Sequence, residues 1–258
     1  MAPTDQVISV AGVDVATIRG GSGKPLLMLH DELGFPGWTN WLQELETERD
    51  IIAPHQPAYG RTEKIDWIRS YRDLGGFYSR MIREMGLAPI DVIGFSAGGY
   101  IAAEMAAADP NIFSKMILVA PMGLKPDDGE IMDFLAMTMR THLRATVADI
   151  TSEEFGGIYG GEMTPEQFER FEEARAETAR LGWEPFMFNP SLDHLLGAVS
   201  TPTQLIWGTS DLVVPYGCIE KYLKAVPHAE LTEMAGIGHR PEIEDSEAFL
   251  NVVRSFLA

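Results

Sequence analysis

Cysteine is nearly absent: Cys218 stands alone among 258 residues. With a single thiol no internal disulfide can close and no cysteine-built metal site can be assembled. Basic side chains are scarce too, 20 Lys and Arg against 38 Asp and Glu, for a formal net charge of −18 at pH 7. A field of that sign disfavours nucleic acid and anionic membrane surfaces as partners and helps to expel an anionic product. Its plainest use is to keep the surface solvated. No apolar run reaches the ~20 residues a spanning helix needs. The stretch MAPTDQVISVAGVDV carries neither a basic segment nor a long apolar one, so no export signal is expected there. These absences lead to the expectation of a cytoplasmic monomer or homodimer whose partner is a small molecule.

What is present is a rhythm of short apolar runs. VISV (7–10) and VDVATIR (13–19) flank Ala11-Gly12 and predict a hairpin. Further strands are predicted at 25–30, 50–54, 90–95, 115–121, 203–208 and 229–234, with helices near 38–47, 72–86, 97–109, 215–226 and 245–257. Nearly continuous apolar strands separated by helices imply a parallel sheet covered on both faces. Ligands of such sheets sit beyond the carboxyl ends of the strands. The rhythm stops between 122 and 196, where helical patterns replace strands, in EIMDFLAMTMRTHLRATV and in TPEQFERFEEARAETARL. In the second, Thr164 is placed to cap and Pro165 to open the helix, with Phe168, Phe171, Ala174 and Leu181 close to one face.

The strongest local signal is IDVIGFSAGGYIAAEMAAADP (90–110), an apolar strand that meets Gly94-Phe95-Ser96-Ala97-Gly98 and then an Ala-rich helix. A serine on so sharp a strand-to-helix turn has a strained backbone, and only small residues two positions either side let the chain pass. The helix N-terminus offers N–H groups to developing negative charge. A serine hydroxyl needs a base, and His239 sits in a glycine-bearing loop, GIGHRPEIED, after the last strand. Asp211, in WGTSDLVVP, follows the strand before it. The order Ser96, Asp211, His239 is the one expected when three loops converge above a parallel sheet.

On these residues the chain resembles the α/β-hydrolases over nearly its whole length. The resemblance implies a mostly parallel eight-stranded sheet flanked by helices, with a core of 1–121 and 197–258 and a helical cap at 122–196. It implies that Ser96 is the nucleophile, Asp211 the acid and His239 the base. IIAPHQPAYGRT is similar to the family's turn after the fourth strand, with His55 and Ala58 where aspartate and glycine are usual. LLMLHDELGFPGW is similar to its oxyanion-hole segment, with Asp31 in place of the usual glycine. The expected backbone donors are the N–H of Ala97 and that of Glu32, with Leu33 as the alternative for the second.

The acids of HDELG pose a separate question. Without an H-E-x-x-H pattern or a second acid–histidine cluster, a metal site is not expected. His30 is expected to be a hydrogen-bonded structural histidine. Asp31 and Glu32 are expected to turn their carboxylates away, since anions beside an oxyanion oppose catalysis. Arg240 is expected to pair locally with Glu242 and Glu244, and His142 and His194 are outside candidates for substrate contact. Phe95, Met137, Trp183 and Phe186 are the candidate pocket residues. The function expected is cofactor-free hydrolysis of a carboxylic ester or lactone of a small, largely apolar substrate. Two alternatives stand beside it. One is carbon–carbon bond hydrolysis, since GWTNW (37–41) resembles a segment of the hydrolases of ring-cleavage products; the other is a low-turnover ligand receptor on the same fold.

Overall fold

Successive side chains of a strand point to opposite faces, so a run that is apolar throughout needs cover on both sides. The computed structural model, which describes residues 2–161 and 164–258, shows that cover. Eight strands form one sheet: β1 (Thr4–Val10), β2 (Val13–Gly21), β3 (Lys24–Leu29), β4 (Arg49–Pro54), β5 (Ile90–Phe95), β6 (Phe113–Val119), β7 (Thr203–Gly208) and β8 (Glu230–Met234). Their order is β1-β2-β4-β3-β5-β6-β7-β8. The hairpin β1–β2 turns at Ala11 and Gly12, both at positive φ, and β2 runs antiparallel to β4. All pairings from β4 through β8 are parallel.

The alternation is visible in what each residue touches. Leu26, Met28, Ile93, Ile117 and Ile206 pack with Trp41 and Leu42 of α1 (Asn40–Leu45) and Phe249 of α10 (Ser246–Leu257). Their strand neighbours Leu27, Leu29, Val92, Leu118 and Leu205 pack on the other face, under α2 (Tyr71–Glu84), α3 (Ala97–Ala108) and α8 (Tyr216–Ala225). Burying one such side chain contributes about 1.5–3 kcal/mol, so a one-residue slip of any central strand would forfeit several at once.

The segment between β6 and β7 is helical, but not as the periodicity of EIMDFLAMTMRTHLRATV suggests. That run divides into a 3₁₀ turn at Phe134–Ala136 and α4 (Met139–Ala145), with Met137 extended between them. The cause is local: Asp133 accepts the N–H of Ala136 and Thr138 that of Thr141, so each starts a helix of its own. After α5 (Glu153–Tyr159) comes α6 (Pro165–Gly182), opened by a full capping box between Thr164 and Gln167. Phe168 is half exposed, contrary to its expected inward face, because α6 becomes buried only from Ala174 onward. α7 (Leu192–Leu195) leads back to the sheet. Met139, Leu143, Val147 and Phe155 form a small third cluster with Leu33 and with Ile243 of α9 (Pro241–Glu244). This cluster sets the helical segment against the loops beyond the strand ends. Among the described residues no helix is long and apolar enough to cross a membrane.

Candidate active site

Ser96 joins β5 to α3 with φ 49 and ψ −110, a conformation that L-residues seldom adopt. The strain is held from both sides. The Ser96 N–H donates to Val119 O at 2.9 Å, and its carbonyl accepts from Tyr100 and Met122. The flanking glycines are steric necessities. A Cβ on Gly94 would lie 2.5 Å from Gly98 O, and one on Gly98 would lie 2.2 Å from Leu29 O. Gly98→Ala is therefore expected to lower Tm by several degrees or prevent folding outright, whereas Gly76→Ala, with open space around it, should change Tm little; thermal melts of the pair check the contrast.

Asp211 and His239 come together from the ends of β7 and β8. Asp211 Oδ1 accepts the N–H groups of Val213 and Val214 at 2.7 and 2.9 Å, which aims Oδ2 at His239 Nδ1, 2.7 Å away. The His239 loop is fixed by Gly238 N–H donating to Glu244 at 2.6 Å and by Arg240 N–H donating to Thr146 O at 3.1 Å. Burial alone would lower the His239 pKa, but the charge and hydrogen bond of Asp211, with the charges of Glu32 and Asp31, push it up to about 9. Ser96 Oγ and His239 Nε2 are both buried, and neither has an aligned hydrogen bond among the described residues. Bonds between catalytic groups often tighten only when substrate aligns them.

The HDELG loop differs from expectation in one important respect. His30 is structural: Gln56 N–H donates to its Nε2 at 3.0 Å, and burial lowers its pKa to about 3, so it stays neutral. Asp31 does turn to other work, accepting the Leu33 N–H at 2.9 Å and pairing with Arg240 at 2.6 Å. The Glu32 carboxylate, however, is not turned away. It is buried, with Oε1 3.2 Å from His142 Nε2. Burial works to raise the Glu32 pKa, yet His142, His239 and Ser96 together hold it down at about 2. Asp31 and Glu32 are thus both buried, Asp31 on Arg240 and Glu32 on His142. The Leu33 N–H is spent on Asp31, while those of Ala97 and Glu32 have no bond among the described residues. Both therefore stay candidates for holding an oxyanion.

Other candidates sort clearly. Arg240 is buried and pairs with Glu242 at 3.3 Å as expected, but its closest acid is Asp31, and it also donates to the Tyr159 hydroxyl. Glu244 instead accepts backbone N–H groups from Ala148, Asp149 and Gly238. His142 is stacked on Phe134, centroids 4.7 Å apart, whereas His194 lies on the exposed surface. Met137 lines a small cavity with Glu32, Leu33, Phe134, His142 and Phe171. Phe95 does not line it: the residue before Ser96 points to the α1/α10 face and packs on Trp41 and Phe249. Trp183 is 59% exposed, and Phe186 backs Phe134 from an outer cleft. Both line that outer cleft and neither lines the cavity beside Glu32. No group of three or more His, Cys, Asp or Glu able to hold a metal ion occurs among the described residues.

Comparison with known proteins agrees with this architecture. The chain is 24% identical over 265 residues to a 2-hydroxymuconate semialdehyde hydrolase of Pseudomonas sp. strain CF600, covering 97% of this chain and 93% of that one. The structure superposes with a TM-score of 0.79 on 2-hydroxy-6-oxo-6-phenylhexa-2,4-dienoate hydrolase from Rhodococcus sp. strain RHA1, at 18% identity over 99% of this chain and 98% of that one. It superposes equally well on an esterase from Rhodococcus sp. ECU1013, TM-score 0.78, at 20% identity over 100% and 98% of the two chains. A family model described as the alpha/beta hydrolase family matches residues 26–252. That match runs from β3 into α10 and takes in the Ser96 turn and both loops that face it: the chain belongs to the alpha/beta hydrolase family.

Proposed function

We propose that the protein is a serine hydrolase that cleaves a carboxylic ester or lactone of a small, uncharged substrate through an acyl-enzyme. The observation that carries this reading is the Asp211–His239 pair, 2.7 Å apart and buried, at the same strand ends as the strained serine. Ser96 Oγ attacks the acyl carbon while His239 Nε2 takes its proton. Asp211 keeps the imidazole in the tautomer that presents Nε2 and stabilises the cation that forms. The Ala97 and Glu32 N–H groups receive the oxyanion. His239 returns the proton to the leaving alkoxide, then activates the water that releases the acid.

Charge argues for an uncharged substrate. Asp31, Glu32 and Glu242 are all buried around the site, and Arg240 is the one guanidinium paired with two of them. A carboxylate-bearing substrate would meet that field and the −18 of the whole chain. The relatives named as hydrolases of 2-hydroxymuconate semialdehyde and of 2-hydroxy-6-oxo-6-phenylhexa-2,4-dienoate support the second reading, carbon–carbon bond hydrolysis, since they are as similar overall as the esterase.

A panel of neutral esters, lactones and dienoate ketones, assayed with wild type and Ser96→Ala, separates the two. The ester reading expects Ser96-dependent turnover of a neutral ester or lactone above that of every dienoate. The reverse ranking replaces it with carbon–carbon hydrolysis. Acyl-length preference should respond to the cavity beside Glu32: Met137→Ala and Phe134→Ala are expected to shift the optimum towards longer chains, while Trp183→Ala leaves it unchanged. A shift in Trp183→Ala alone would move the acyl pocket to the outer cleft.

A further inference from the structure

Acids outnumber Lys and Arg by 38 to 20 in this chain, yet one cleft reverses the balance. It lies between the loops after β3 and β4 and the first half of α6, and its volume is about 500 Å³. Arg61, Arg170 and His55 line it, and among the described residues that do so there is no Asp or Glu. Phe35, Leu143, Ile158 and Phe171 give it an apolar wall. Only Leu33 and Phe171 also line the cavity beside Glu32, so the two are different spaces.

The polar groups of the cleft have unused capacity. Arg170 is exposed there and pairs with no acid among the described residues. Arg61 commits one guanidinium nitrogen to Asp5 and keeps its remaining N–H groups. His55 is only 8% exposed, and both its ring nitrogens are buried without an aligned hydrogen bond among the described residues. Such burial is costly unless a partner arrives from elsewhere. Phe35 packs edge-on against the ring, centroids 5.7 Å apart. Gly60, which also lines the cleft, has no side chain where a Cβ would lie 3.4 Å from Nδ1.

We propose that this cleft is a binding site for a carboxylate with an apolar body, its head between Arg61 and Arg170 and its chain against Phe35 and Phe171. A guanidinium presents forked N–H donors that match a carboxylate, and a neutral imidazole adds one more donor. On a molecule of net charge −18, a basic cleft is where an anion is locally favoured. The apolar wall selects a hydrocarbon body over a bare ion. The proposal goes beyond the hydrolase reading and does not rest on it. Asp31, Glu32 and Glu242, the acids around Ser96, do not line this cleft, so the substrate cleaved there remains uncharged.

The probe is octanoate, with octanol as the same chain under an uncharged head. Titration calorimetry measures both ligands on wild type, Arg61→Gln, Arg170→Gln and Arg175→Gln. Arg61 and Arg170 are exposed, so their replacement tests binding rather than folding. Arg175 lines the cavity beside Glu32 instead, and its variant removes the same charge from the other space. Octanoate should bind wild type saturably and about tenfold or more tightly than octanol. Arg61→Gln and Arg170→Gln should each weaken octanoate about tenfold, the cost of a lost charged hydrogen bond, and leave octanol unchanged. Arg175→Gln should change neither. Absent octanoate binding, equal affinity for the two ligands, or indifference to Arg61 and Arg170 would each overturn the proposal. So would a loss in Arg175→Gln as large as in the other two, because octanoate would then be answering net charge or sitting in the cavity beside Glu32.

Discussion

Ser96→Ala should lower kcat for a neutral ester on the order of 10⁴-fold or more, and His239→Ala by a similar factor. Asp211→Asn should cost about as much, by a different route. Its amide can still accept from Val213 and Val214 but offers an N–H where Oδ2 met His239 Nδ1. The ring is then held in the tautomer that leaves no lone pair for the serine proton. Because the three act as one unit, the double variant Ser96→Ala/His239→Ala should be no slower than either single one. Steady-state kinetics on variants purified free of host esterase decide the matter. A loss under tenfold in Ser96→Ala would remove it as nucleophile, and strictly multiplicative losses would mean that Ser96 and His239 do not share a proton.

The parts of this molecule legible in the sequence are those whose causes are local or periodic. GFSAG is readable because Gly94 and Gly98 are required by backbone packed within 2.5 Å of where a Cβ would sit, and because an apolar strand and a helix flank it. The buried strands are readable because both faces of the sheet are covered. The capping box at Thr164 and Gln167 is a contact between residues three apart. The helix expected from EIMDFLAMTMRTHLRATV fails for the same local kind of reason, since the capping tendencies of Asp133 and Thr138 outweigh the apolar spacing. What was not legible is long-range. Asp31 and Arg240 meet only because two strand-end loops converge, and Glu32 meets His142 only because the helical segment that carries α4 lies against the loop after β3. Trp183 and Phe95 show the limit of composition: an aromatic near the site in sequence can lie on the outer surface or under the sheet. Nothing in HDELG itself says which of two adjacent acids will meet His142.

Removing the Arg240 guanidinium is expected to have a large effect on stability, and the effect should depend on pH. Arg240 and Asp31 are both buried and 2.6 Å apart, and Glu242 lies 3.3 Å away. Breaking a buried pair from one side leaves an uncompensated charge and costs about 3–5 kcal/mol, or roughly 10 °C in Tm for a domain of this size. Arg240→Met keeps the volume and removes the charge. Asp31 and Glu242 would then be buried without their cation. Burial already raises the pKa of both, Glu242 to about 7, with Arg240 the opposing influence. Without Arg240 both should rise further. A carboxyl whose folded pKa lies above its unfolded value binds protons on folding, so its stabilising effect is present at low pH and lost as pH rises through the folded value. The deficit of Arg240→Met should accordingly be smaller at pH 5.5 than at pH 8, as measured by urea unfolding at each. Adding Asp31→Asn should recover part of the loss, because an amide oxygen can still accept the Leu33 N–H that Asp31 holds at 2.9 Å while the buried charge is gone. A deficit equal at both pH values, or below about 1 kcal/mol, would mean that the pair is effectively solvated and that the strand-end loops carrying His239 and Glu32 are held together by the apolar cluster around Leu33 and Ile243 instead.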